Sequence, residues 1–235
     1  MDTPGRDASL PTIVLGGGGH AAVLIDALQC TGRVILGCVV RDGKAGRSGP
    51  LGIEILGDDS VLTQYQPGAV ALVNGVGATD AANAPGGLVR SQLQRIWRQR
   101  GFGFATIVHP AATVAAACDI AAGVQIMAGA VVQTGSRIGA GAIINTGARI
   151  DHDCMVGELV HIAPGATLCG GVRLGDGVFV GAGATIVPGV AIGASARIGA
   201  GMTILAEVPA DARLAPTDAW RGDTPAPSAG AATIP

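Results

Sequence analysis

Histidines and their carboxylate neighbours carry most of the chemistry this chain can offer. His152 stands between Asp151 and Asp153 in the run Ile150-Asp151-His152-Asp153-Cys154. An imidazole titrates near neutrality, so flanking carboxylates that orient the ring and favour its protonated form suit it to general-base work. The same residues also describe an ordinary exposed histidine, and the spacing alone leaves both readings open. His161 lies nine positions further on, where it serves either a ligand or a subunit contact. His20 closes the loop Gly16-Gly17-Gly18-Gly19-His20, and His109 opens the run His109-Pro110-Ala111-Ala112, where a turn role is expected. A zinc centre needs converging ligands, and the pair at 152 and 161 has no third partner, so no metal is expected.

The elements that must position these residues are legible from a second regularity. From Val108 to Ile204 an aliphatic residue recurs at every sixth position, seventeen times in succession. Four residues after each comes a small or aliphatic residue, from Ala112, Cys118 and Val124 through Ser136 and Cys154 to Val208. A short strand with alternating faces followed by a tight corner every six residues makes a triangular coil of about eighteen residues. Ile150 and Cys154 then point inward, which leaves His152 and Asp153 on a corner facing solvent. His161 precedes the inward Ile162 and should face outward from a flat part of a coil.

Before the repeat the pattern changes. Thr12 to Leu15 reads as a strand, Gly16 to His20 as a loop, Ala21 to Cys30 as a helix and Val34 to Val40 as a second strand. That is the opening of a nucleotide-binding βαβ unit, in which glycines admit phosphate to the helix N-terminus. The fingerprint Gly16-x-Gly18-x-x-Ala21 replaces its last glycine with alanine, and Asp42 follows the second strand near the usual acidic position. Read alone, the loop is either a tight βα turn or a binding loop. Ala69 to Val73 reads as a third parallel strand whose exit, Asn74-Gly75-Val76-Gly77, falls beside the first loop at the carboxyl edge, where ligands bind. Residues 87–100 read as a helix with Leu88, Leu93, Ile96 and Trp97 on its apolar side and its arginines on a solvated face. The loop Asp42 to Gly52 is either a flap over the nucleotide or a connector.

Nearly half of the 235 residues are apolar (49%), only 14% are charged, and the formal net charge is −2. That balance gives no electrostatic case for nucleic acid. No apolar run is long enough to span a membrane, and the start of the chain has no basic region followed by a long apolar stretch. The five cysteines show no paired spacing, and two of them occupy inward hexad positions, as small core residues of a reducing, cytoplasmic compartment would.

With these residues in place, the chain resembles the sugar O- and N-acyltransferases of the sialic acid O-acetyltransferase and bacillosamine-pathway acetyltransferase family. The resemblance runs nearly end to end, through the Gly16 to His20 loop, Ile107-Val108-His109-Pro110, Asn145, Ile150-Asp151-His152-Asp153-Cys154 and His161-Ile162-Ala163-Pro164-Gly165-Ala166. It implies an α/β Rossmann-like domain (1–105) and an all-β left-handed parallel β-helix (106–208); the C-terminal tail (209–235), dominated by Ala, Pro, Asp and Thr, is expected from its composition to be disordered over its last dozen or so residues. The resemblance also implies a homotrimer with sites between subunits and acetyl-CoA as cosubstrate. Carried over, His152 is the general base, Asp153 holds its ring, His161 lies by the CoA thiol, and the Gly170 amide polarises the thioester. Gly16, Gly17, Gly18, His20, Asp42 and Gly77 would hold the nucleotide, and Asn145 would lie near the sugar. The chain departs from the family at Val208-Pro209-Ala210-Asp211, where relatives carry a segment that helps to cover CoA, and in having Asp153 where some carry glutamate. The expected activity is N-acetylation of a nucleotide-linked 4-amino-4,6-dideoxy sugar. A sugar hydroxyl as acceptor is the rival; a catalytically silent trimeric scaffold and a zinc hydratase on the same solenoid are more distant ones.

Overall fold

The computed structural model describes residues 10–77 and 86–216; the expected disorder of the last dozen residues lies outside them. The first unit is built on β1 (Thr12–Leu15), α1 (Gly19–Cys30), β2 (Ile35–Val39), β3 (Arg47–Ser48), β4 (Glu54–Gly57) and β5 (Ala71–Asn74). Its sheet runs β3-β4-β2-β1-β5, with β2 and β5 parallel to β1 on either side. β1 is buried along its whole length, which explains its unbroken apolar run. Because β1 lies between β2 and β5, its exit loop sits where the strand order reverses, and α1 starts directly above it. Within the segment from Asp42 to Gly52, Arg47–Ser48 pairs antiparallel with β4, and the Gly46 N–H donates to the Ile55 carbonyl at 3.0 Å.

α2 (Gly86–Gln99) buries Trp97 as its pattern requires, while Ile96 is 39% exposed. The side chain of Leu88 lies outside the described residues. The expectation that the arginines of this helix are all solvated fails at Arg90, which is 1% exposed. Amphipathic spacing cannot reveal a cation that finds buried carbonyls to donate to.

From Ile107 onward the chain winds into a left-handed parallel β-helix of two-residue strands, and each expected aliphatic from Val108 to Ile204 is the second residue of a strand. Equivalent strands pair eighteen residues apart, such as Arg149–Ile150 with Thr167–Leu168, which gives three flat walls. The first wall holds Ile107–Val108, Gln125–Ile126, Ile143–Ile144, His161–Ile162, Phe179–Val180 and Arg197–Ile198; the second includes Arg149–Ile150 and Thr167–Leu168; the third includes Met155–Val156 and Arg173–Leu174. Ile150, Ile162, Leu168 and Val180 are fully buried inside, each contributing about 1.5–3 kcal/mol of burial. Val108 is 39% exposed because its coil is the lowest and nothing stacks beneath it. The period in the sequence stops at Val208, but the first wall continues to Arg213–Leu214, paired with Arg197–Ile198.

Candidate active site

His152 sits at the corner between the second and third walls. Its Nδ1 lies 2.9 Å from Asp153 Oδ2, and the Asp151 side chain accepts the His152 backbone N–H at 2.8 Å. The hydrogen bond to Asp153 and the charge of Asp151 raise the His152 pKa above its ordinary value. With Nδ1–H fixed on the carboxylate, Nε2 is the basic nitrogen. Nε2 faces Gly170 on the next coil, so closely that a Cβ there would lie 2.6 Å from it. Among the described residues the Gly170 N–H donates no hydrogen bond, so a polarising donor stands beside the basic nitrogen.

Asp153 holds its place at a conformational cost. The equivalent corner positions one coil below and one above, Gly135 and Gly171, have φ of 75° and 69°, a region that disfavours side chains. Asp153 takes the same turn with φ 58°. Its carboxylate lies over Gly135, where any Cβ would collide with it. Leu159 and Ser195 take the same turn at other corners, with φ 56° and 60°, but at Asp153 the side chain holds an imidazole.

A second group gathers at the carboxyl edge of the sheet. Gly16, with φ 112°, packs against Gly75; a Cβ on Gly17 would meet Val40 at 2.9 Å, and one on Gly18 would meet nothing within 4 Å. The loop is therefore closed toward the sheet and open above α1, whose Gly18 N-cap supplies no side-chain partner to the first-turn amides. Gly77 lies against His20, within 3.4 Å for an added Cβ. Asp42 stands exposed in the turn after β2, at the same edge, with φ 59°. His20 Nε2 lies 2.8 Å from Gln125 Oε1, and Gln125 Nε2 donates to the Asn74 carbonyl at 2.9 Å. Burial, assisted by the Arg90 charge, lowers the His20 pKa to about 4, so this ring is neutral at physiological pH.

Arg90, Gln94 and Gln125 are the residues that the sequence did not reveal. Arg90 donates to the Asn74 carbonyl at 2.9 Å, the Val76 carbonyl at 3.1 Å and the Gly141 carbonyl at 2.6 Å, tying the sheet-edge loop to the solenoid. Asn74 Nδ2 returns a bond to the Arg90 carbonyl at 3.0 Å and reaches Gln94 Oε1 at 3.4 Å. Burial of the guanidinium without a carboxylate lowers its pKa to about 9. An outward glutamine on a strand and an arginine on a polar helix carry no sequence signal for such a junction.

His161 lies on the outward side of the first wall, as expected, yet is only 6% exposed because the first unit covers that wall. Its Nε2 is 3.3 Å from Asn145 Nδ2, its ring packs edge-on against Phe179 at 5.2 Å, and the His20 ring is 6.5 Å away. The structure thus joins His20, Asn145 and His161 in one place and His152, Asp153 and Gly170 in another. Asn145 and His161 lie at the first wall with His20 of α1 against them, and the second group lies on the corner opposite that wall. His109 has the turn role expected of it: Nδ1 accepts the Ala111 N–H at 3.0 Å. Its Nε2 stands 3.9 Å from Asp26, and with Cys30 these groups bring three possible ligand atoms within 4.8 Å of one another. A metal on Nε2 would require a proton on Nδ1, which already accepts the Ala111 N–H, so His109 does not fit a metal.

A left-handed β-helix of six-residue repeats is the fold of the hexapeptide-repeat class, and here its corner carries a histidine–carboxylate pair beside an open backbone amide. The bacterial transferase hexapeptide (six repeats) family matches residues 171–206. No curated protein sequence matches the chain. Among solved structures, perosamine N-acetyltransferase from Caulobacter crescentus, crystallised with CoA and GDP-perosamine, is 34% identical, with a TM-score of 0.79 over 91% of this chain and 97% of that one. The acetyltransferase domain of PglB from Neisseria gonorrhoeae, in complex with acetyl coenzyme A, is 29% identical, with a TM-score of 0.78 over 88% of this chain and 97% of that one. WeeI from Acinetobacter baumannii shares the fold, at 20% identity and a TM-score of 0.75 over 87% of this chain and 96% of that one. The chain belongs to the hexapeptide-repeat transferase family, among its CoA-dependent sugar acetyltransferases.

Proposed function

We propose that this protein transfers the acetyl group of acetyl-CoA to the amine of a nucleotide-linked 4-amino-4,6-dideoxy sugar, with His152 as general base. The observation that carries this reading is the His152–Asp153 pair, with Nε2 unblocked and aimed past Gly170. Nε2 takes a proton from the amine as its nitrogen attacks the thioester carbonyl carbon, while Asp153 stabilises the imidazolium. The Gly170 N–H receives the developing oxyanion. The C–S bond then breaks, the CoA thiolate leaves and the imidazolium returns the proton to it. Transfer is direct, without an acyl-enzyme and without a metal.

The open loop at Gly16, Gly17 and Gly18 with the α1 N-terminus is suited to the diphosphate, with Asp42 and Gly77 at its borders. The relative crystallised with CoA and GDP-perosamine supports a nucleotide-bearing amino sugar as acceptor. His152 and the nucleotide edge lie on opposite sides of one solenoid. A bound sugar nucleotide reaches the base most simply from a neighbouring subunit, which favours a homotrimer with sites between subunits. His161 and Asn145 of that neighbour would then flank the CoA thiol and the sugar. No helix among the described residues is long and apolar enough to cross a membrane, and the buried, unpaired Cys38 and Cys154 fit a reducing cytoplasmic compartment.

Thiol release from acetyl-CoA tests the assignment, using GDP- and UDP-linked 4-amino sugars beside free sialic acid and serine. Release with a nucleotide amino sugar alone is the expected result. Release with a hydroxyl acceptor alone would transfer the protein to O-acetylation. A monomer in light scattering would overturn the shared site.

A further inference from the structure

Beneath the His152 corner runs a column of inward side chains that the repeat should make purely apolar. Every inward corner position from Ala112 to Val208 is aliphatic, small or sulfur-bearing except Ser136, which alone offers an oxygen. Ser136 lies one coil below Cys154 and is fully buried. Its hydroxyl donates to the Asp151 carbonyl at 2.8 Å and accepts the Cys154 N–H at 3.1 Å. Those two peptide groups are the flanks of His152–Asp153.

The neighbouring coils show what is particular here. Cys118 donates its thiol to the Gln133 carbonyl at 3.1 Å, and Cys154 donates to the Cys169 carbonyl at 3.2 Å. Each donor in the column therefore reaches the carbonyl fifteen residues ahead. Sulfur makes a weak donor and a poor acceptor, whereas a hydroxyl makes both bonds well. The hydroxyl lies under the corner at which Asp153 holds φ 58° in its turn and grips a histidine.

We propose that Ser136 is a positioning residue of the acetyl transfer: by clamping both flanks of the Asp151–Cys154 corner it fixes the turn that holds Asp153 on His152 Nδ1 and His152 Nε2 beside Gly170. The proposal rests on the reading of His152 as the base. Without the clamp the Asp151 carbonyl and the Cys154 N–H lose their common partner, the strained Asp153 turn relaxes, and the imidazole samples orientations away from the acceptor amine. Ser136 touches neither substrate, so its loss acts on turnover and on the His152 titration rather than on binding.

Ser136→Ala and Ser136→Cys keep the coil intact, since alanine and cysteine already occupy inward positions 130, 118 and 154. Steady-state kinetics of both variants, beside His152→Ala, should be taken across the pH range together with thermal melts. For Ser136→Ala the expected result is a kcat about tenfold lower with both KM values within about twofold, the size of effect a small misplacement of a reacting group produces. The acid limb of its pH profile should move to lower pH, because a loosened Asp153 no longer raises the His152 pKa. Ser136→Cys should fall between Ser136→Ala and the wild type. Wild-type kcat and acid limb in Ser136→Ala, with His152→Ala inactive, would overturn the positioning role, and a lowered melting temperature at full kcat would reduce Ser136 to a structural residue. Activity persisting in His152→Ala would instead overturn the base assignment on which the proposal stands.

Discussion

Gly170→Ala is the most discriminating single change at this site. Gly170 is not held at a positive φ, so alanine can adopt its backbone, and the substitution leaves the proposed oxyanion donor, the 170 N–H, in place. What it adds is one methyl carbon, 2.6 Å from His152 Nε2 and 2.7 Å from Cε1. Comfortable contact begins near 3.4 Å, so the ring must retreat by about 0.8 Å or rotate away from Asp153. The His152 side chain is 58% exposed, so it can swing outward without disturbing the core. Fold stability should therefore be nearly unchanged, while the base leaves its working position. A displacement approaching 1 Å costs roughly 100-fold in rate, so kcat should fall by about that factor with a melting temperature close to that of wild type. Thiol release under saturating acetyl-CoA and acceptor measures the first quantity, and calorimetry the second. A Gly170→Ala enzyme with wild-type kcat would refute the placement of the reacting nitrogen between His152 and Gly170.

Other outcomes follow from the same geometry. His152→Ala should lower turnover at least about 100-fold in the thiol-release assay without altering the solenoid, as judged by circular dichroism. The base works only when neutral, so turnover falls as pH drops through the His152 pKa, which the Asp153 hydrogen bond and the Asp151 charge raise above the ordinary histidine value. Asp153→Asn should shift the limb to lower pH and reduce the plateau of the pH–rate profile. Asp153→Gly should relieve the φ 58° turn, giving an inactive protein whose melting temperature equals or exceeds that of wild type. Arg90→Met strands the carbonyls of Val76 and Gly141, each at about 1–3 kcal/mol when buried without a partner, while the Asn74 carbonyl keeps its bond from Gln125. Urea denaturation should register a loss of about 2 kcal/mol or more, and calorimetric titration should show weaker GDP or UDP binding; Arg90→Lys should rescue little, since an ammonium lacks the planar fork.

Much of this protein was written plainly in its sequence. Strict recurrence at six from Val108 to Ile204 leaves one solution, because each short strand buries its aliphatic only if an equivalent strand stacks eighteen residues away. The corner position of His152 and Asp153 followed from that register, as did the inward direction of Ile150 and Cys154. In the first unit, β1, α1, β2 and β5 were legible because glycine loops punctuate apolar runs, and the carboxyl-edge placement of Gly16, Asp42 and Gly77 followed from parallel strands. The small edge strands β3 and β4 were not, since two to four residues of mixed character carry no period.

Tertiary structure alone decided how the two units lock together and where the polar groups between them find partners. Arg90 and Gln125 look solvated in one dimension, yet they bridge the junction because docking α2 on the solenoid brings backbone carbonyls to them, and Gln94, buried beside them, meets the Asn74 side-chain amide. The neutrality of His20 and the covering of His161 have the same origin, in a wall buried by a distant part of the chain. Periodicity sets which way a side chain points from its own coil, because that depends on neighbours a few residues away; what it meets there depends on contacts between segments a hundred residues apart.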